Sequence, residues 1–399
     1  MKVVVTMPER LDICHVITRM IIGGAQENTL YSCAGHLAKG HRVTLVTGPS
    51  PGPEGELLQQ GCPSGLEVIV LPDLVRELSP LTDWRAYRAL LRLFRERRFS
   101  VVHTHASKAG ILGRVAARRA GIPFVVHTVH GQAFHAYQSS LTNRLYIAAE
   151  RWAARHCDRI YAVAQAMIEQ CVAAGVAPRE KYQVVYSGMD LDDYVTARRD
   201  DALRTKLGIP ADALVVGKIA RLFELKGHVD LLAAAAKVLQ AVPNAYFLLV
   251  GDGILRDALA AQAQALHIRD RVIFAGLVPP REISRYTAQM DVLVHLSLRE
   301  GLPRAVVQGL ATGIPAVAYP LDGTPEVVKD GETGLLCPVR QIDAIAAALT
   351  ELLLDPEKRR AMGRRGQEEV RKRFAWRRMA DILEDEYRRG VAAKTPPRK

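Results

Sequence analysis

Residues 11–47 read LDICHVITRMIIGGAQENTLYSCAGHLAKGHRVTLVT. The opening LDICHVIT is an apolar run of strand length, and a turn carrying Gly23 and Gly24 follows it. Residues 25–39 have helical period and are stopped by Gly40, and residues 41–47 are strand-like again. Strand, crossover helix and strand of these lengths make a βαβ unit with parallel strands. Working outward, strand-like runs at 66–71, 99–103, 124–127, 159–164 and 183–186 alternate with helical patterns at 84–97, 110–120 and 141–154. A polar stretch at 187–203 interrupts the alternation. It resumes with strands at 214–219, 245–250, 272–274, 292–296 and 316–319, separated by helical stretches at 228–241, 254–266, 281–289 and 304–311. The expected class is α/β, with two Rossmann-like doubly wound domains facing a central cleft. The expected boundaries are 1–195 and 196–375, a helix at 376–390 that crosses back to the N-terminal domain, and a disordered tail at 391–399. Residues 1–7 also look like a strand but run into Pro8.

Composition narrows the function. The 399 residues are 49% hydrophobic and 24% charged, which suits globular domains and excludes fibrous or disordered classes. No two of the six cysteines form a CxxC pair, so a thiol redox centre or zinc ribbon is not expected and a reducing cytosol is. No apolar run reaches the length of a membrane span, and residues 1–10 lack the apolar core of a signal peptide. Net charge is +12, concentrated in two places. Residues 85–119 hold ten Lys/Arg against Glu96 alone, with Arg85, Arg88, Arg92 and Arg95 at helical spacing around Leu90, Leu91, Leu93 and Phe94. That pattern fits either a basic amphipathic helix on an anionic membrane surface or a solvated helix face. Residues 356–378 hold ten more Lys/Arg against three acids. With three Trp and no aromatics interleaved among the cations, nucleic acid is not an expected partner.

Ligands of doubly wound sheets bind at the carboxyl ends of the strands, so residues just after each strand carry the chemistry. Gly23 and Gly24 allow backbone N–H groups to approach a phosphate at a helix start, although no GxGxxG fingerprint is present there or at Gly251 and Gly253. Arg221 and Lys226, in ARLFELKG after the strand 214–219, are placed to neutralise a diphosphate. Glu300, in EGLP after the strand 292–296, is placed to bind sugar hydroxyls or to cap the next helix. Nine of the twelve histidines precede residue 160. His103, His105, His127 and His130 lie at strand ends with HxH and HxxH spacings, but no HExxH or cysteine partner accompanies them. Hydrogen bonding to substrate is the reading preferred over a metal. Lys108 opens a helix beside them and suggests an anion site.

Taken together, GGAQE (23–27), HTHASKAG (103–110), TVHG (128–131), YSGMD (186–190), ARLFELKG (220–227), EGLP (300–303) and GTPEVVKDGETGLL (323–336) resemble glycosyltransferase family 4, the retaining enzymes of the GT-B fold. The resemblance implies transfer of a sugar from a UDP- or GDP-sugar to a glycan or lipid-linked acceptor, in cell-surface polysaccharide or glycolipid synthesis. It implies that the Gly23–Gly24 loop approaches the donor diphosphate, that Arg221 and Lys226 bind it, and that backbone N–H groups of Gly301 and Leu302 assist in holding the donor. It places His130 near the reacting sugar and Glu300 on the donor-sugar hydroxyls. His103, His105 and Lys108 are the expected acceptor contacts. Neither a metal nor another cofactor is expected, because protein cations stand in for magnesium. A cytoplasmic location, peripheral on the inner face of the plasma membrane, goes with this reading.

Two positions depart from the family pattern. Gln308 replaces the second acid of E-x7-E, which weakens donor binding by about 1 kcal/mol through loss of a charged acceptor. Asp322 stands where a glycine is common, before a helix start read as Thr324 at the N-cap and Pro325 at the first turn. The alternatives are a non-catalytic nucleotide-sugar or glycan-binding protein and a sugar-nucleotide epimerase on the same architecture.

Overall fold

The computed structural model describes residues 9–50 and 57–394, so the expected strand at 1–7 and the end of the tail at 395–399 lie outside the described residues. The chain forms two α/β units, Met1–Met189 with Trp376–Lys399, and Asp190–Ala375.

Among the described residues the first unit holds seven strands: β1 (Asp12–Ile17), β2 (Arg42–Thr47), β3 (Glu67–Val70), β4 (Val101–His105), β5 (Phe124–Val129), β6 (Arg159–Ala162) and β7 (Tyr182–Val184). They are all parallel in the order 3-2-1-4-5-6-7. The second unit holds β8 (Leu214–Ile219), β9 (Ala245–Val250), β10 (Val272–Gly276), β11 (Val292–His295), β12 (Ala316–Ala318) and β13 (Gly334–Leu336). Their order is 10-9-8-11-12-13, again parallel throughout. Strands covered on both faces need apolar side chains on both, which is why β9 reads AYFLLV without alternation. Each sheet reverses its strand order once, between β1 and β4 and between β8 and β11. The crevice at such a reversal is where ligands of this architecture bind.

The C-terminal helix Trp376–Lys394 belongs to the first unit. Its Met379, Leu383, Tyr387 and Val391 repeat every four residues and pack with Ile13, Val101, Phe124 and Val126 of the sheet. The tail expected from residue 391 is corrected accordingly. Burial of Val391 extends the helix through Lys394. The first unit ends at Met189 rather than at 195, because the helix Asp192–Thr196 packs on the helices Ile283–Thr287 and Arg304–Ala311.

The basic helix is Pro80–Arg97, and it turns its apolar face inward: Ala86, Leu90 and Phe94 are buried. Arg85, Arg88, Arg92 and Arg95 are exposed. The expected apolar membrane face built on Leu90 and Phe94 is therefore corrected, since those side chains belong to the core. Exposed apolar groups sit instead at the start of this helix: Leu78, Leu81 and Trp84, with the Arg88 guanidinium 5.2 Å from the Trp84 ring centre.

Replacing Leu383 by Ala opens a cavity under the first sheet. A loss of about 2–5 kcal/mol is expected, read as a lowered urea midpoint of the first unit with the second unit's transition unmoved.

Candidate active site

The loops after β8 and β11, the neighbours across the reversal of the second sheet, carry the charged residues. After β8 the chain runs through Arg221 to Lys226 and Gly227. Gly227 has φ +69, and a Cβ there would lie 2.1 Å from the carbonyl oxygen of Leu296. Only glycine lets this loop approach β11 so closely. The Leu298 N–H donates to the Leu225 carbonyl at 2.8 Å and joins the two loops a second time. The result brings Lys226 Nζ within 2.6 Å of Glu300 Oε1.

Glu300 is fixed from three sides. Its backbone N–H donates to Asp322 Oδ2 at 2.7 Å, and His295 Nε2 lies 3.6 Å from Oε1. Burial alone raises the Glu300 carboxyl, but His295 and Lys226 beside it outweigh burial and hold it below its ordinary value of 4.5. Asp322 adopts φ +51, the left-handed region that favours glycine and tolerates aspartate. The glycine that the family resemblance leads one to expect there would adopt it freely, and the aspartate in its place also clamps the EGLP loop. The following helix Thr324–Val327 has Gly323 at its N-cap, so the expectation of Thr324 in that role is corrected. Gly301 accepts from the Gly323 N–H at 3.2 Å, and Leu302 is buried. Gln308 lies in the helix Arg304–Ala311 that starts just after Pro303. The exposed Arg221 guanidinium lies 5.0 Å from the Phe223 ring centre.

Three further residues of this cluster were not singled out in the sequence. Lys218 on β8, His228 at the start of the helix His228–Ala241 and His295 at the end of β11 are all buried. Among the described residues, Lys218 Nζ, both ring nitrogens of His228 and His295 Nε2 have no hydrogen-bond partner. Burial, then Lys226, pushes the Lys218 ammonium down to about 7, partly opposed by Glu300 and Asp230. Burial likewise lowers His228 to about 3 and His295 to about 4. Unpaired buried polar groups are costly, and several converging beside one ion pair mark a site built for a polar ligand. The available signal was a lysine inside the otherwise apolar VVGKIA.

In the first unit Gly23 is the N-cap of the helix Gly24–Ala38, so backbone N–H groups at its start are available to an anion. Lys108 is not: its ammonium is bound by Asp83 and the Glu77 carbonyl. His103 and His105 have no exposed surface. Their expected role as acceptor contacts is corrected, because the fold uses them as core hydrogen-bonding groups. His103 bonds the Tyr387 hydroxyl through Nδ1 and Thr128 Oγ1 through Nε2, the latter at 2.6 Å. His105 Nε2 lies 3.0 Å from His15 Nδ1, and His105 Nδ1 lies 3.0 Å from His130 Nε2. Nitrogens of His15, His103 and His105 approach within 4.8 Å of one another, as a metal site would require. Nearly all of them are already committed to hydrogen bonds, so the set does not present three free ligands. His127 bonds Thr104 Oγ1 at 3.0 Å.

A cationic loop and a carboxylate loop at the reversal of a parallel sheet suit a ligand that carries both anionic groups and hydroxyls. The family model for glycosyltransferase family 4 matches residues 22–193, and that for glycosyl transferases group 1 matches residues 199–369. The chain belongs to this family, and it is a glycosyltransferase acting on nucleotide-sugar donors in glycoconjugate synthesis. It is 29% identical to the UDP-Gal:alpha-D-GlcNAc-diphosphoundecaprenol alpha-1,3-galactosyltransferase of Escherichia coli, over 87% of this chain and 89% of that one. It is 30% identical to a D-inositol 3-phosphate glycosyltransferase of Saccharomonospora viridis, over 74% of this chain and 71% of that one. Among solved structures, Anabaena HepE in complex with UDP and glucose shares the fold, with a TM-score of 0.79, 22% identity and coverage of 94% and 99%.

The buried ammonium makes a prediction about pH. Because its folded value of about 7 lies below the ordinary 10.5, Lys218 costs stability in full below pH 7 and ceases to as pH rises towards 10.5. Lys218→Met is expected to raise the melting temperature most below pH 7, with the gain fading as the pH approaches 10.5. Glu300 has the opposite sign: its contribution is present above 4.5 and lost as pH falls through the lower folded value. The stability difference between the wild type and Glu300→Gln should shrink in acid, as read by urea unfolding.

Proposed function

We propose that this chain is a retaining, metal-independent glycosyltransferase that moves a sugar from a UDP- or GDP-sugar to a glycan or lipid-linked acceptor. The observation that carries the reading is the Lys226–Glu300 pair at the sheet reversal, with Arg221 on the same loop. The diphosphate draws Lys226 away from Glu300 and takes charge from Arg221 as well. Backbone N–H groups of Gly301 and Leu302 assist. Glu300, released from part of its ion pair, accepts hydrogen bonds from the donor-sugar hydroxyls. The nucleotide departs from the face that the acceptor hydroxyl attacks, so configuration is retained. Stabilisation of the leaving diphosphate supplies most of the rate enhancement. Gln308 keeps a neutral acceptor for the nucleotide ribose, and His130 contacts the transferred sugar. The acceptor side is assigned to the first unit.

The name of the E. coli relative gives a diphosphoundecaprenol-linked acceptor, and a lipid-linked acceptor of that chemistry is proposed here. No described helix is long and apolar enough to cross a membrane. Access to such an acceptor is proposed to come from the exposed Leu78, Leu81 and Trp84 beside the Arg85, Arg88, Arg92 and Arg95 row. The proposed location is the cytoplasmic face of the membrane.

Transfer to the acceptor of the E. coli relative tests this directly, with the anomeric configuration of the product read by NMR. Lys226→Ala and Arg221→Ala are each expected to lower turnover about tenfold or more, and Glu300→Gln to abolish transfer with the fold intact. Unchanged rates in all three would remove the assignment. Anionic vesicles should retain the protein at low salt and release it at high salt, and Trp84→Ala should weaken retention.

A further inference from the structure

We propose that His15 and His105 are positioning residues that fix His130 in its Nδ1–H tautomer, through a hydrogen-bonded chain of three imidazoles that runs from β1 through the end of β4 to the residue after β5. The topology makes the chain. His15 on β1 is in register with His103 on β4. His105, two residues further along β4, is in register with Thr128 on β5, and His130 follows the end of β5. The rings of His105 and its neighbours His15 and His130 lie 5.3 Å apart, centre to centre, in both cases.

The hydrogen-bond arithmetic then has two solutions. A neutral imidazole carries one N–H, and His105 uses both nitrogens. The two bonds must therefore point the same way along the chain. In one direction, His15 Nδ1–H donates to His105 Nε2 and His105 Nδ1–H donates to His130 Nε2. In the other, His130 Nε2–H donates inward and the last proton sits on His15 Nε2. That atom is fully buried and has no hydrogen-bond partner among the described residues. An orphaned buried N–H is rarer and costlier than an orphaned acceptor lone pair, so the chain runs outward from His15. His15 and His105 stay neutral because burial pushes His15 down to about 3 and His105 well below its ordinary value.

The outward direction decides what His130 does. Its Nε2 lone pair is occupied by His105 and its Nδ1 bears hydrogen. His130 is thus a hydrogen-bond donor and not a general base. A donor suits front-face transfer, in which the departing diphosphate accepts the acceptor's proton and no side-chain base is needed. This functional meaning rests on the proposed sugar contact of His130, whereas the tautomer does not.

Long-range proton–nitrogen correlation on the 15N-histidine-labelled full-length protein tests the tautomer, with His130 assigned from the loss of its signals in His130→Gln. The expected result is Nδ1–H at His15, His105 and His130, opposite to the form neutral histidine prefers in water. His15→Leu should shift His130 towards Nε2–H, and His15→Gln, whose amide keeps a donor, should restore Nδ1–H. A wild-type His130 in the Nε2–H form overturns the proposal without any variant, and so does a His130 tautomer unmoved in folded His15→Leu. Wild-type transfer by His130→Ala would instead remove the sugar contact and leave the chain standing.

Discussion

The ion pair between Lys226 and Glu300 is the contact on which the site depends. Each residue sits on a loop that leaves one of the two strands flanking the sheet reversal, and the 2.6 Å contact ties the loops together. The pair also stores the response to ligand. While it stands, the lysine charge is matched by the carboxylate. In the proposed reaction an entering diphosphate competes for the ammonium and frees the carboxylate to meet hydroxyl groups. Lys218 is buried, and its Nζ has no hydrogen-bond partner among the described residues; in its protonated form it adds to a local field that favours an anion.

The supports of this pair are backbone devices. Gly227 permits the approach of the β8 loop to β11, and Asp322 occupies a left-handed position while accepting the Glu300 N–H. Neither is a proposed substrate contact. Both set the distance between lysine and carboxylate, where displacement of the loops would loosen the site. In the first unit the same job falls to side chains: the C-terminal helix supplies Tyr387 to His103, and His15 and His105 lead to His130.

The sequence was most legible where local pattern and fold agree. β8, β9 and the helices His228–Ala241 and Arg304–Ala311 have the bounds their apolar periods indicate. The ion pair could be anticipated only as two separate loops, since no spacing reveals that residues 74 apart meet. His103 and His105 misled because a strand-end position is exposed only if nothing covers it, and Tyr387 arrives from the far end of the chain to do so. Helix Ile342–Leu354 escaped notice because IDAIAAALTELLL is apolar on nearly every face, and β13 because it has three residues. Lys218 escaped because burial of a lysine is a property of the whole unit.

Calorimetric titration of the wild type and of Lys226→Ala with UDP and with GDP, in EDTA throughout, measures whether Lys226 holds the donor diphosphate without a metal. One of the two nucleotides is expected to bind the wild type without metal, and Lys226→Ala to bind it much more weakly. Binding that needs a divalent cation, or that is equally tight in the variant, would contradict that role.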